Sequence, residues 1–201
     1  RFDIVIEGRG GHAAKPHETV DPVVIAAQII SAAQTIASRT ADPIDSVVVS
    51  ITRVDAGSAY NIIPQSVLLQ GTVRTLSARM RDVAEKRLGE IATGVAAAMG
   101  GSARVDYGRG YPVTQNHADQ TRFAVKVAQS VSGENAVETA LEPTMGAEDF
   151  SYMLEARPGA FIFIGNGDSA GLHHPAYDFN DAAIPVGMSY WAKLAETAMP
   201  A

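Results

Sequence analysis

Two short segments of this 201-residue chain contain the histidines best suited to chemistry. His12 follows a glycine-rich run at positions 8–11, and His173 and His174 are adjacent to each other. Imidazole serves as a general acid or base near neutral pH and is the commonest metal ligand in proteins. Two adjacent histidines do not easily bind one metal, and a catalytic zinc site needs about three protein ligands. The pair therefore supplies at most one ligand and is not a metal site by itself.

Three further polar residues have both a functional and a structural interpretation. Asn61 lies three residues before Pro64, and a turn explains both. Arg74 lies on the polar face of a predicted strand, where it is either solvated or grips a substrate carboxylate with its guanidinium group. Glu148 follows Gly146 at a predicted helix start, where the helix dipole favours an acid. Each of these residues is a candidate whose role needs further support.

The glycine-rich run matches the spacing G-x-G-x-x-A of a dinucleotide-binding loop. That loop requires a helix to begin within the glycines, so that its amides meet a pyrophosphate. Here the next predicted helix begins only at Asp21-Pro22, as an N-cap followed by proline. Presentation of His12 explains the run better, because glycines turn tightly and keep bulk away from the imidazole. A surface histidine beside a flexible turn is the alternative.

Residue periodicity predicts a βαββαβ unit over residues 1–109. The predicted strands are 2–7, 46–54, 66–74 and 103–107, and the predicted helices run from 21 to about 38 and from 77 to about 99. The apolar residues expected to face the core from the first helix are Val24, Ala27, Ile30 and Ala33, flanked by Ile25, Ile29 and Ile36. This element order is the split-βαβ, ferredoxin-like pattern, with two helices on one face of a sheet.

Residues 110–201 have a different pattern, in which helices outnumber strands. The predicted helices are 118–132, about 146–157 and about 183–198, and the predicted strands are 136–140 and the apolar run 160–164. So few strands would give a small core. We expect this part to complete a larger α/β sheet supplied by residues outside the chain.

Composition and charge limit the classes of partner that this chain is expected to bind. With 46% hydrophobic and 19% charged residues the chain is typical of a globular protein. A net charge of −6 and the lack of a Lys/Arg cluster argue against nucleic acid as a partner. No apolar run approaches the ~20 residues that cross a bilayer, so no membrane is expected. The absence of Cys excludes a thiolate metal site within this chain. The first residues suit a strand and not a signal peptide, so we expect a cytoplasmic protein.

Taken in order, the motifs resemble those of the M20 peptidase family. Gly8-x-Gly-Gly-His-Ala-Ala-x-Pro-His17, Asn61-x-Ile-Pro64 and Gly71-Thr-Val-Arg74 resemble its lid domain. Gly146-Ala-Glu-Asp-Phe150 and Leu172-His-His-Pro175 resemble the end of its catalytic domain. The branch that the chain resembles contains hippurate hydrolases and indole-acetyl-amino-acid hydrolases. The resemblance covers essentially the whole chain, and the ordered set is far more specific than any single motif.

The resemblance implies a role for each candidate residue. His173 matches the family's last metal ligand, because the family pattern is Leu-His-x-Pro. His12 matches a lid histidine that stabilises the tetrahedral oxyanion in the partner subunit's site. Asn61 and Arg74 match lid positions that hold the carboxylate end of the substrate. Glu148 matches a motif near the active site and is, like His12, a catalytic candidate.

The resemblance also implies an activity and an assembly. It implies a zinc-peptidase-like α/β domain with two divalent metal ions, zinc or manganese and also cobalt or nickel, and a homodimer formed through the lid. The activity is hydrolysis of N-acyl amino acids, in which an activated water attacks the amide carbon. The other metal ligands and the general-base glutamate precede the lid in the family. We therefore expect this chain to be truncated, with at most one metal ligand, and inactive alone.

Two alternative functions follow from the same observations. A ferredoxin-like unit often pairs edge to edge, so the chain could act as a dimerisation or binding module without turnover. The family also contains dipeptidases, which differ from acylases mainly on the acyl side of the substrate. Metal-dependent turnover separates the first alternative from the hydrolase, and substrate preference separates the second.

Overall fold

The first strand is buried along one face only. In a computed structural model that describes residues 1–200, β1 (Phe2–Glu7) buries Phe2, Ile4 and Ile6, while the alternating residues remain partly exposed. This period of two is typical of a strand with one face on the core. The prediction of a strand at 2–7 is confirmed.

The chain divides into two units, Arg1–Val113 and the residues from Thr114 onward. In the first unit the remaining strands are β2 (Gly11–His12), β3 (Val47–Ala56), β4 (Ile62–Ile63), β5 (Ser66–Thr75) and β6 (Ser102–Tyr107), and the helices are α1 (Pro22–Ala33) and α2 (Ala78–Ala98). Four strands form an antiparallel sheet in the order β3-β5-β1-β6, and β2 pairs with β4 separately. The predicted ferredoxin-like βαββαβ fold is confirmed.

The core of the first unit lies between the sheet and the two helices. Val67, Leu69 and Val73 of β5 are buried on the face that also carries the buried side chains of β1. Met80, Ala84 and other residues of α2 at helical spacing are buried against this face. The outer strands β3 and β6 form the two edges of the sheet.

The helix α1 begins where the sequence predicts and ends earlier. The side chain of Asp21 accepts a hydrogen bond from the Val23 N–H at 2.9 Å, which caps the helix. The α-helix ends at Ala33, and a π-helical turn follows at Ile36–Thr40 instead of regular helix to about 38. Hydroxyl groups explain the change, since Thr35 donates to the Ala32 carbonyl at 2.6 Å and competes with the backbone.

The buried face of α1 also differs from the predicted one. Val24 and Ala27, both expected to face the core, are exposed, and Val24 retains 48% of its accessible surface. The buried residues are Pro22, Ile25, Ala26, Ile29 and Ala33. The observed face is rotated about the helix axis relative to the predicted one, and it is centred on Ile25 and Ile29, which the prediction placed at the flank.

The helix α2 is the longest, with 21 residues. Its N-cap is Ser77, whose hydroxyl accepts from the Met80 N–H at 3.0 Å and donates to the Asp45 carboxylate at 2.8 Å. It ends before Gly100, which has a φ of 83°. No helix within residues 1–200 combines the length and apolar character needed to cross a membrane.

The second unit is built from three helices, α3 (Ala118–Ser132), α4 (Phe150–Ala156) and α5 (Ala183–Ala198). The predictions for α3 and α5 are confirmed. The helix predicted from about 146 begins only at Phe150. Segment 136–140, predicted as a strand, instead follows a 3-10 turn at Glu134–Ala136, and no strand lies in this unit among the described residues.

The apolar run 160–164 is also not a strand, which corrects a further prediction. A strand requires a neighbouring strand, and here Asn116 takes that place. Its side-chain amide donates to the Phe161 carbonyl at 2.8 Å, and its side-chain oxygen accepts from the Phe161 N–H at 2.7 Å. Phe163 is 66% exposed and Ile164 is 46% exposed. The burial predicted on both faces is therefore absent from this chain alone.

Candidate functional site

The structure brings His12 and Asn61 together. In the short β2–β4 ribbon, His12 lies opposite Ile62, and the Ala13 N–H donates to the Asn61 carbonyl at 3.0 Å. His12 therefore shares a face of the ribbon with Ile62, and Asn61 is the residue that directly precedes Ile62. Both His12 and Asn61 are exposed. Two candidates separated by 49 positions in the sequence thus share one end of the first unit.

The loop that precedes His12 is packed closely against the neighbouring backbone. A Cβ on Gly10 would lie 2.7 Å from the Ile63 carbonyl oxygen, and one on Gly11 would lie 2.8 Å from the Thr19 Cγ2 atom. A Cβ on Gly8 would overlap the Val20 carbonyl oxygen. The glycines are therefore required for close approach. These contacts argue against the alternative of a histidine on a flexible turn.

The same geometry excludes the dinucleotide-binding interpretation. The first helix, α1, begins at Pro22, well after the glycines. The Gly10 N–H donates to the Gln65 side-chain oxygen at 3.1 Å, so it does not point from a helix N-terminus towards a ligand. A pyrophosphate site needs such free amides at a helix start.

The His12 ring has a defined orientation of its donor and acceptor atoms. Its Nδ1 atom accepts a hydrogen bond from the Ala14 N–H at 3.0 Å. An Nδ1 atom that accepts carries no proton, so the neutral ring bears its proton on Nε2. Because the side chain is exposed, this N–H is available as a hydrogen-bond donor. The side-chain amide of Asn61, which has no partner within residues 1–200, is a second free polar group at this end.

Arg74 lies at the opposite end of the same sheet. Ser66, the first residue of β5, pairs with Glu7 next to the glycine-rich loop, whereas Arg74 pairs with Val48 near the far end. Eight steps of about 3.3 Å along a strand separate Ser66 from Arg74, or roughly 26 Å. One copy of the first unit therefore does not bring Arg74 to His12.

The guanidinium group of Arg74 has no carboxylate partner among residues 1–200. Arg74 is partly buried, and its one described hydrogen bond goes to the Val73 carbonyl at 3.1 Å. Arginines that are not fully solvated are usually paired with an acid. The group is therefore suited to an external carboxylate.

Other charges act at this end of the sheet. Burial raises the pKa of the Tyr107 hydroxyl, and the Glu85 carboxylate raises it further. The positive charges of Arg81, Arg109 and Arg74 oppose these effects. The Arg109 guanidinium donates hydrogen bonds to the Glu85 and Asp82 carboxylates, which raise its own pKa, Glu85 by the larger amount. Arg74 differs from Arg109 because it lacks such a partner in the described part of the chain.

In the second unit the structure distinguishes His173 from His174. His173 has a φ of 66°, and it is the only residue other than glycine with a positive φ within residues 1–200. Such strained backbone in a non-glycine residue is concentrated at functional sites. His174 instead supports its own turn, because its Nδ1 accepts from the Ala176 N–H at 3.0 Å. The His173 ring has no hydrogen-bond partner among the described residues and is free to bind a ligand.

Glu148 has a structural role at the start of α4. Its carboxylate accepts a hydrogen bond from the Phe150 N–H at 3.3 Å, and its carbonyl accepts from the buried hydroxyl of Ser151 at 2.6 Å. These bonds satisfy part of the helix N-terminus, which is the structural interpretation. The second carboxylate oxygen has no described partner, so a functional role stays a prediction.

A family model described as peptidase family M20/M25/M40 matches residues 4–197. The chain belongs to this family. It is 37% identical over 195 residues to N-acetylcysteine deacetylase of Bacillus subtilis, with 97% of this chain and 50% of that protein covered. It is also 37% identical over 194 residues to hippurate hydrolase of Campylobacter jejuni, with 96% and 51% covered. The chain spans about half the length of these relatives.

Solved structures of the M20 family agree with the fold. A crystal structure from Bacillus subtilis, described as a dinuclear metal binding peptidase of this family, matches with a TM-score of 0.73 and 31% identity. The match covers 98% of this chain and 49% of that one. The predicted fold class and family membership are confirmed.

A complete metal centre is not assembled by the described residues of this M20 chain. No group of three or more His, Asp or Glu side chains that could hold a metal ion occurs within residues 1–200. The ring of His173 is available as a single ligand, and this role stays a prediction.

One residue at the His12 end, Gln65, was not identified as a candidate from the sequence. Gln65 contacts the glycine-rich loop through its side chain and its backbone. A glutamine at an exposed strand start is ordinary, so its type and position carry no signal. Only the three-dimensional pairing of Gly8–Gly10 with Gln65 reveals the contact.

Proposed function

We propose that this chain forms the lid and the C-terminal part of the catalytic domain of a metal-dependent amidohydrolase. The substrates are N-acyl amino acids, and the products are a carboxylate and a free amino acid. The observation that carries the substrate class is Arg74, a partly buried guanidinium without a carboxylate partner among residues 1–200. The names of the two relatives, N-acetylcysteine deacetylase and hippurate hydrolase, support the same class.

The residues of this chain act at both ends of the substrate. Arg74 pairs with the substrate carboxylate through two parallel hydrogen bonds. The free amide of Asn61 adds a polar contact to the substrate. His12 donates its Nε2 proton in a hydrogen bond to the oxyanion that develops at the amide carbon. Glu148 is the second catalytic candidate, because its second carboxylate oxygen is available to orient a polar group.

Two divalent metal ions, zinc or manganese, complete the proposed site, and His173 is the single ligand from this chain. The description of a structural relative as dinuclear supports the count of two. When bound, such ions polarise the scissile carbonyl and lower the pKa of the attacking water. His173 fits as a ligand because its ring is free and its backbone is held in a strained conformation.

The separation of His12 from Arg74 favours a homodimer. If both residues contact one substrate, and one lid places them beyond opposite ends of β5, whose Ser66 and Arg74 are roughly 26 Å apart, two lids must contribute. In the proposed dimer, His12 and Asn61 reach the partner's active site and Arg74 serves its own. This arrangement makes each site incomplete without the second subunit.

The outer edge of β3 is the surface that suits this dimer. β3 is the end strand of the sheet, and its Val54 is 51% exposed although it pairs with buried Leu69 on the core-facing side. Val23 of α1 is 42% exposed and lines a shallow cavity of about 540 Å³ with Ala56 of β3. An exposed apolar edge strand invites pairing with a second copy.

The change Val54→Lys is expected to convert the full-length protein from a dimer to a monomer. A lysine on an edge strand opposes strand pairing, and the exposed position tolerates it within the fold. Light scattering after size-exclusion chromatography measures the mass. Loss of the dimer is expected to lower the activity as well, because His12 no longer reaches a partner's site.

The matched control places the same charge on the other edge of the sheet. Ser102 of β6 is exposed, and Ser102→Lys is expected to leave the mass and the activity unchanged. A Val54→Lys protein that remains an active dimer would disprove the β3 interface. A monomeric, active wild type would disprove the shared site.

The substrate proposal is tested with N-acyl amino acids and their carboxamide analogues. The metal-loaded full-length protein should hydrolyse the acids with a kcat/KM roughly 10–100-fold higher than the carboxamides, since hydrogen bonds between charged groups contribute about 1.5–3 kcal/mol. The change Arg74→Ala is expected to remove most of this preference. Release of free amino acid is the measurement.

Several outcomes of that test would change the conclusion. Arg104 is an exposed arginine of β6, and Arg104→Ala is expected to keep the preference for the acid. Hydrolysis of dipeptides alone would identify a dipeptidase, and no turnover of any substrate with metal bound would leave a binding module. The 201 residues alone are expected to be inactive, so turnover by them would contradict the proposed truncation.

A further inference from the structure

Gln65 is joined to the glycine-rich loop by three hydrogen bonds. Its side-chain oxygen accepts from the Gly10 N–H at 3.1 Å, and its side-chain amide donates to the Gly8 carbonyl at 2.8 Å. Its backbone carbonyl also accepts from the Gly8 N–H at 2.9 Å. One residue thus contacts the loop at both ends of Gly8–Gly10.

These bonds span a gap in the strand ladder. β1 ends at Glu7, which pairs with Ser66, and the ladder resumes at Gly11, which pairs with Ile63. Between these pairs, Gly8–Gly10 have no partner in a named strand, although Arg9 forms an isolated antiparallel bridge with Val20. The amide of Gln65 supplies one donor and one acceptor there, as a strand backbone would. The Arg9–Val20 bridge holds the middle of the loop, and the Gln65 side chain holds its two ends, Gly8 and Gly10, next to the start of β2.

His12 directly follows Gly11, at which the strand pairing resumes. Its position is set by the pairing of β2 with β4 and by the Ala13 N–H bond to Asn61. A shift in Gly8–Gly10 would move β2 along or away from β4. Small displacements matter, because a misplacement of about 1 Å can lower a rate by roughly 100-fold.

We propose that Gln65 is a positioning residue for His12. It acts through the Gly8–Gly10 loop and does not touch the substrate. The inference rests on the proposed function of His12 as the donor to the oxyanion. It adds a residue to the site that neither the motifs nor the family match identifies.

The chemistry of the amide defines which replacements should work. Gln65→Ala removes both side-chain bonds. Gln65→Glu keeps an acceptor for the Gly10 N–H. It replaces the amide donor with a carboxylate oxygen, so the Gly8 carbonyl loses its hydrogen bond from this side chain. We therefore expect turnover in the order wild type, Gln65→Glu, Gln65→Ala.

A double-mutant cycle with His12 tests the inference in the metal-loaded full-length protein. Gln65→Ala is expected to lower kcat roughly tenfold with little change in KM, less than the ~100-fold of a full 1 Å displacement because the backbone bond to Gly8 remains. In the His12→Ala background the same change should have no further effect, because the group that it positions is absent. Equal losses in both backgrounds, or no loss with His12 present, would overturn the proposal.

Gln70 provides the matched control. It lies on the same strand, and its side-chain amide donates to the Asp3 carboxylate at 3.0 Å, away from the His12 end. Gln70→Ala also removes one glutamine contact and is expected to leave kcat unchanged. Loss of kcat in Gln70→Ala equal to that in Gln65→Ala would indicate a general effect on the fold and overturn the proposal.

Hydrogen exchange supplies a readout that does not depend on turnover. Faster exchange of the Gly10 and Ala13 amides is expected in Gln65→Ala and not in Gln70→Ala, and unchanged exchange would overturn the positioning role. If His12→Ala itself has no effect on kcat, the proposed function of His12 fails. That outcome is distinct from a failure of Gln65, which leaves the His12→Ala loss intact.

Discussion

Replacing His12 with alanine is expected to lower the kcat of the metal-loaded full-length protein by about 100- to 1000-fold, the cost of removing one oxyanion donor. KM should change little, because the Nε2–H contacts charge that develops only in the transition state. The hydrogen bond from the Ala14 N–H to Nδ1 leaves the Nε2–H of the neutral ring as the donor. Steady-state release of the amino acid measures both constants.

The control for this prediction is a second histidine on the same segment. His17 lies in the 3-10 turn Pro16–Glu18, is largely exposed and contacts only the Glu18 carboxylate. His17→Ala is expected to retain kcat within about twofold, as surface substitutions usually do. A His12→Ala protein that keeps full kcat, or that loses affinity and not rate, would remove His12 from the oxyanion role.

A mixture of His12→Ala and a second variant with low kcat/KM for the acid, Arg74→Ala, tests whether the site is shared. If His12 serves the partner's site, co-expression with Arg74→Ala should produce heterodimers that contain one complete site. Partial recovery of turnover is then expected, although each parent variant is poorly active. If confirmed heterodimers show no recovery of turnover, the proposal that His12 acts in the partner's site while Arg74 acts in its own is wrong.

The lid fold was predictable because its local signals agree with one another. Alternation in β1 and β5, the cap at Asp21-Pro22 and the cap at Ser77 all indicate the same element order. The glycine-rich segment before His12 was also visible in the sequence, and the structure shows that it packs closely against neighbouring backbone, whereas the role of His12 stays a prediction. Its contacts with Asn61 and Gln65 were not predictable, because two-residue strands are too short to show periodicity and the pairing is long-range.

The second unit was less predictable for a different physical reason. The amphipathic helices α3 and α5 follow from local spacing, but the run 160–164 becomes a strand only if another strand bonds to it. Among the described residues Asn116 supplies that bonding instead. Exposed side chains such as Trp191, at 65%, and Leu172, at 79%, support the proposal that residues outside this chain cover the unit.

The free guanidinium of Arg74 and the strained backbone of His173 were also invisible in the sequence. A residue type predicts what a side chain can do, but not whether another group already occupies it. Arg109 illustrates the difference, since it lies near Arg74 and is paired with Glu85 and Asp82. The structure therefore ranks candidates that residue types alone leave equal.

Replacing His173 with asparagine is expected to lower the metal content of the full-length protein and to abolish turnover. Asparagine adopts a positive φ more readily than most residues, so this change keeps the backbone conformation while it removes the imidazole. Loss of a direct ligand should exceed the roughly 10–100-fold loss of metal affinity caused by changes to residues behind a ligand. Elemental analysis after dialysis measures the bound metal, and thermal unfolding reports on the fold.

The adjacent histidine separates ligation from local structure. His174→Ala removes the bond from the Ala176 N–H, which supports the turn, but leaves the His173 ring in place. It should therefore lower the thermal midpoint and retain the metal, whereas His173→Asn should lose metal with a smaller effect on the metal-free fold. Metal loss in His174→Ala together with retention in His173→Asn would assign the ligand to His174. Because only His173 combines a free ring with a strained backbone, we expect the opposite result.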